Sequence, residues 1–280
     1  MKRIHMLSLC TVGLLLSFAV SAQAGSRIEK NLKLNPGGTL TMDTGGGDIS
    51  VTGTPESGAR VVVTSNLSDL ENVFDLRFEE TPHGVQISAH RQGGSSWPKN
   101  SNLKFEIKVP RQTSLELKTG GGDVHVASLE GDFRLKTSGG DVNVDEVKGD
   151  LDAMTSGGDM RVHQVNGNLV LHTSGGDIRA EEISGRVDVH TSGGDVEVNL
   201  RRGNAQGGEV ETSGGEVEVA LDPAVNLNVE ASAGSGDVKS DLPLTVTGTL
   251  SSSRLRGTLG KGGPLLRLQT SSGDIHLRSL

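Results

Sequence analysis

The chain has little of what large globular cores and reactive sites are usually built from. Its 280 residues include one cysteine, one tryptophan, five phenylalanines and no tyrosine. Cys10 lies near the start, so a chain processed after residue 24 has neither a disulfide framework nor a thiol nucleophile. With aromatics this scarce, the apolar content is Val, Leu and Ile, which suits thin, layered stacking better than one thick core. No segment beyond the first two dozen residues approaches the ~20 apolar residues that a membrane-spanning helix requires. Basic runs and aromatic stacking platforms are also missing. The formal net charge is −8, which repels phosphate backbones and excludes nucleic acid as an expected partner.

The first residues point to a compartment. Lys2 and Arg3 open the chain, Met6 to Val20 are mostly apolar, and Ala22-Gln23-Ala24 places small residues where a signal peptidase reads. Residues 1–24 are therefore expected to be a secretory signal, too short and wrongly flanked for a membrane span. Leu7-Ser8-Leu9-Cys10 is loosely similar to a lipid-attachment box. Leu9 is too bulky for its position, however, and Cys10 sits inside the apolar stretch, so that reading is set aside. The expected address is exported: periplasmic, cell-surface or extracellular. Loss of Lys2 and Arg3 leaves 25 basic against 35 acidic residues, a net charge of −10.

What the chain has in excess is glycine, 40 residues. Gly122, Gly131, Gly140, Gly149, Gly158, Gly167, Gly176, Gly185, Gly194 and Gly203 follow one another at nine-residue intervals. Most precede a polar residue and then an apolar–any–apolar triplet, such as Val142/Val144 or Leu169/Leu171. The units alternate. One kind is introduced by Thr-Ser-Gly-Gly-Asp, as at Thr137–Asp141, Thr155–Asp159, Thr173–Asp177 and Thr191–Asp195, and the other by Leu129, Val147, Val165 or Ile183. The repeat is thus eighteen residues, with two short strands and two Gly-rich turns. This predicts an all-β parallel β-solenoid whose coils stack about 4.8 Å apart, with identical residues in columns. Glycine is expected to supply positive φ at the corners, and Thr137, Thr155, Thr173, Thr191 and Thr212 to form a hydroxyl ladder there.

Regularity covers only the middle, residues 119–220. Residues 25–118 are expected to hold a first coil and an inserted β-meander. Thr44-Gly-Gly-Gly-Asp48 returns as Thr119-Gly-Gly-Gly-Asp123 after 75 residues, and alternating stretches bordered by prolines lie between. Trp97, in the polar loop of this region, is read as locally packed rather than as a contact residue. Residues 221–280 are expected to be irregular coils and a cap, since their motifs, ending in Thr270-Ser-Ser-Gly-Asp274, are unevenly spaced.

The phrase Phe105-Glu-Ile-Lys-Val-Pro110, then Leu115–Lys118 and Thr119-Gly-Gly-Gly-Asp-Val124, with the closing Leu266–Thr270 and Ser-Ser-Gly-Asp-Ile275, resembles the adhesin-type repeat family of bacterial envelope proteins known as toastrack domains. The likeness runs from about residue 28 to 280. It implies a β-solenoid-like domain found near envelope-stress or membrane-signalling systems, and it brings no catalytic residues. Relatives often carry membrane helices or zinc-ribbon additions, and this chain has neither.

Two constellations could carry chemistry. Asp123, Asp141, Asp159, Asp177, Asp195 and Glu216 form an acidic column at one corner, which could bind calcium as glycine-rich toxin repeats do. Those repeats use Gly-Gly-x-Gly-x-Asp to complete an oxygen shell. Here the motif is Ser-Gly-Gly-Asp, and unit charges at this spacing in water repel by only ~1 kcal/mol, so turn capping is the expected role. His172 and His190 share an outward column and could hold a transition metal. The neighbouring positions are Met154 and Lys136, so no third ligand is in register and no metal or cofactor is expected. Outward columns such as His125, Asn143, Arg161, Arg179 and Glu197 mix signs and single out no acid–base pair. The expectation is a non-enzymatic envelope binding or scaffold module whose partner is an envelope protein, peptidoglycan or a surface glycan. The alternative is a periplasmic input domain for envelope-stress signalling.

Overall fold

A computed structural model describes residues 25–93, 101–247 and 251–280. The segment read as a secretory signal, with Cys10, and the loop residue Trp97 lie outside the described residues. Among the described residues, apart from one short helical turn, Leu70–Val73, the regular structure is all strand, arranged as two long sheets of twelve and thirteen strands.

The middle is a stack of eighteen-residue coils. In each, a strand such as Val142–Lys148 belongs to the first sheet and the next, Leu151–Met154, to the second. Successive coils pair in parallel and in register, Val142 with Met160 and Leu151 with Leu169. The apolar triplets point inward on both sides. Val124, Val142, Met160, Ile178, Val196 and Val217 form one buried column of the first sheet, and Phe133, Leu151, Leu169 and Val187 one of the second. Removing such side chains from water contributes roughly 1.5–3 kcal/mol each and is the main force holding so thin a body together.

Corner geometry departs from expectation in an informative way. Gly122, Gly131 and Gly149 do have positive φ, at 118°, 154° and 125°. Gly140, Gly158, Gly176 and Gly194 do not. There a Cβ would meet the carbonyl oxygen of the corresponding glycine one coil earlier at 2.0–2.1 Å. Glycine is required at these positions because backbones stack directly on each other, not because of a special φ. The left-handed conformation is instead carried by Ser128, Glu146, Gln164 and Glu182, at φ 54–59° and eighteen residues apart. Each lets two successive side chains face solvent before the chain turns inward at Leu129, Val147, Val165 or Ile183.

The irregular ends extend both sheets. In the N-terminal region Ala59–Ser65 and Leu103–Pro110 pair antiparallel in the first sheet, and Phe74–Thr81 and Gly84–Arg91 pair antiparallel in the second. Gly84–Arg91 and Leu103–Pro110 also stack in parallel on Gly38–Thr44 and Asp48–Thr54, adding a coil outside the first one. The excursion accounts for the 75-residue spacing, because Thr44 lies directly beside Thr119. The C-terminal end shows the same device. Leu227–Ala233 and Val238–Ser240 are laid down one coil too far out, and Leu265–Thr270 and Ile275–Ser279 then fill the gap, pairing in parallel on both sides. One buried apolar cluster runs through all these coils, from Leu34 to Leu277.

Candidate functional site

The acidic column is a chain of hydrogen bonds. Asp141, Asp159, Asp177 and Asp195 each donate their backbone N–H to Oδ1 of the aspartate one coil earlier, at 2.9–3.0 Å. Asp123 does the same to Asp48 at 3.1 Å and Glu216 to Asp195 at 2.8 Å. The cap therefore crosses between coils rather than closing its own turn, and each carboxylate neutralises part of its charge against a peptide dipole. Asp150 and Asn168 play the same part at the opposite corner, accepting from Asn168 N–H and Arg186 N–H.

Behind the aspartates lie the buried threonines, whose hydroxyls do not bond to one another as the sequence suggested. Thr155 Oγ1 donates to the Gly140 carbonyl at 2.9 Å and accepts the Gly158 N–H at 3.4 Å, and Thr137, Thr173, Thr191 and Thr212 repeat the arrangement. A hydroxyl both donates and accepts, so it satisfies two backbone groups that the corner would otherwise bury unpaired.

Outside the corners, both sheets present flat faces of charged rows. On the first sheet His125, Asn143, Arg161, Arg179, Glu197, Glu218 and His276 stand in adjacent strands. Arg161 reaches Asp159 at 2.9 Å and Asp141 at 3.4 Å, and Arg179 reaches Glu181 at 2.7 Å and Glu197 at 3.0 Å. The hydrogen bonds that Arg179 donates to Glu181, followed by the charge of Glu197, hold its guanidinium above its ordinary pKa. A shallow groove of about 370 Å³ runs between this row and the Asp159–Asp177–Asp195 corner. On the second sheet Arg256, Glu230, Arg267 and Glu209 alternate in sign along one row, and Asp188 follows beside Glu209. Exposed pairs of this kind contribute only about 0.2–1 kcal/mol each, so the rows do little for stability.

His172 and His190 are neighbours on the second sheet, with ring centroids 5.4 Å apart and planes tilted by 36°. Met154 is next to His172 on one side. On the other side the structure places Glu211, whose Oε2 lies 3.4 Å from His190 Nδ1. Sequence spacing missed this residue because the insertion after Gly203 lengthens that coil from eighteen to twenty-one residues. The signal that finds it is the return of Thr-Ser-Gly-Gly at Thr212. Among the described residues no three His, Cys, Asp or Glu side chains form a group able to hold a metal ion together, and no helix is long and apolar enough to cross a membrane.

Comparison with known proteins matches this architecture to a recurring one. No curated protein is a match. The crystal structure of a "putative adhesin" from Bacteroides fragilis superposes with a TM-score of 0.50 at 13% identity, covering 90% of this chain and 97% of that one. A "putative lipid binding protein" from Parabacteroides distasonis gives a TM-score of 0.44 at 12% identity, covering 91% and 96%. At 13% identity the likeness to the Bacteroides fragilis protein is one of fold alone. The Toastrack DUF4097 family matches residues 39–278, nearly the whole described stack, and the chain belongs to that family.

Proposed function

We propose that this chain is a non-enzymatic, exported envelope module that holds a partner across its flat polar faces. The observation that carries this reading is the in-register array of charged side chains on two broad sheets, with coil spacing repeated along each row. Side chains that do little for stability yet stand in rigid rows at a constant pitch suit recognition of an extended surface. The words "putative adhesin" in the name of the Bacteroides fragilis protein support the same reading. The partner classes that fit are another envelope protein, peptidoglycan or a surface glycan, each offering repeated polar groups to such rows.

Two measurements test it. Cell fractionation with mass analysis should find a chain beginning at Gly25 in the periplasm or outside the cell. A full-length chain in the cytoplasm overturns export. Purified protein should co-sediment with isolated envelopes or peptidoglycan sacculi, and the double charge reversal Arg161→Glu/Arg179→Glu should weaken this at least about tenfold, ~1.4 kcal/mol. If wild type and the reversal partition alike, while a deletion strain shows altered envelope-stress transcription, a signalling input domain replaces the binding module.

A further inference from the structure

We propose that His172 and His190 form a copper site on the outer face of the second sheet. The two imidazoles project from adjacent parallel strands in register, Leu169–His172 and Val187–Thr191, so the coil spacing fixes their separation. The ring centroids lie 5.4 Å apart, a separation compatible with one nitrogen of each ring ligating a shared ion at the usual distance of about 2.0–2.1 Å.

What distinguishes the pair from two solvated histidines is its surroundings. Glu211 stands beside His190, its Oε2 3.4 Å from Nδ1. A carboxylate at this position stands where an outer partner of a metal-bound histidine is usually found, on the Nδ1 side of the ring, with Nε2 left to meet the ion. No hydrogen bond engages the imidazole nitrogens of His172 among the described residues, so its lone pair is available. On the far side of His172, Met154 is a large apolar side chain left 40% exposed. Met154 thus brings a thioether to the strand next to His172, and this favours copper over zinc, magnesium or calcium, because sulfur prefers soft cations and copper heads the affinity series for nitrogen ligands. His163 and His276 differ. Each faces a carboxylate, Asp145 at 2.8 Å and Asp241 at 3.1 Å, with no second imidazole beside it. The ion would complete its shell with water, so the pair needs no third His, Cys, Asp or Glu at the same point.

The test uses purified protein without a polyhistidine tag, titrated with cupric ion and followed by electron paramagnetic resonance and by competition with a chromogenic chelator. One saturable ion per chain is expected, with hyperfine structure from two imidazole nitrogens. His172→Ala and His190→Ala should each weaken binding by at least about tenfold, and Glu211→Gln by a smaller factor. His163→Ala should leave it unchanged, and zinc should bind more weakly than copper. Met154→Leu should lower affinity for cuprous ion, measured under reductant, more than for cupric ion. Melting curves of the unmetallated variants should match wild type, which separates ligation from folding. The proposal is overturned if no saturable site exists, if either His172→Ala or His190→Ala binds copper like wild type, or if His163→Ala removes the signal.

Discussion

Gly157 and Gly158 are adjacent in the sequence and opposite in their constraints. A Cβ on Gly158 would lie 2.0 Å from the Gly140 carbonyl oxygen and 2.4 Å from its carbon, whereas one on Gly157 has nothing within 4 Å. Gly158→Ala is therefore expected to cost 3 kcal/mol or more, roughly the upper end of overpacking penalties, because backbone on both sides has nowhere to move. Gly157→Ala is expected to be neutral or stabilising by up to about 1 kcal/mol through the unfolded chain. Urea unfolding of the two variants checks this, and equal effects would show that the coils do not stack this closely. The two glycines look alike in the sequence because both belong to one repeated motif, and only the neighbouring coil distinguishes them. Ser128, Glu146, Gln164 and Glu182 were harder still to read. Their left-handed φ is imposed by the need to turn the chain between sheets, and no glycine marks it.

Each strand of the regular coils is only four to seven residues long and cannot stand alone. Corners join them, and a corner holds because its backbone groups find partners in the next coil. Thr173 is the clearest single case, since its hydroxyl donates to Gly158 O at 3.1 Å and accepts from Gly176 N–H at 3.4 Å. Thr173→Val keeps the shape but leaves both groups buried without a partner, and is expected to destabilise by about 1–3 kcal/mol in thermal or urea unfolding. A variant as stable as wild type would mean that water replaces the hydroxyl. The strand–turn–strand unit was legible in the sequence from its alternating apolar residues and its glycine spacing. That the aspartate caps cross between coils was not legible, because a side chain can reach its own turn or the next with the same residue type.

For the whole molecule, the order of coils in space differs from their order in the chain at both ends. Leu265–Leu280 completes the stack from within, with Thr270 Oγ1 bonded to Gly215 O at 2.8 Å and Leu280 N–H to Leu221 O at 3.1 Å. Deleting these residues leaves the facing edges of Gly208–Thr212 and Leu227–Ala233 unpaired and opens the core. The truncated protein is expected to melt at least about 10 °C lower or to aggregate, in calorimetry and sedimentation, as a loss of several kcal/mol implies. Removing the edge strand Ser26–Leu32, which pairs on one side only, should cost markedly less. If both truncations behave alike, the last coil is an appendage rather than a filler.

Composition and period by themselves determined that this chain is a β-solenoid: too few aromatics for a thick core, glycine recurring at the corners, and mostly Val, Leu or Ile at alternate positions between. These are local properties, repeated until no other arrangement buries the apolar columns. Tertiary structure alone decided which coils lie side by side, and with that the company of each surface residue. Two nearby features, the Gly203 insertion and the late-filled C-terminal coil, place Glu211 beside His190 and Leu266 beside Gly208, and neither pairing follows from an eighteen-residue count. Register within a coil is fixed by short-range alternation, but register between coils is fixed by backbone hydrogen bonds that ignore how many residues an insertion adds.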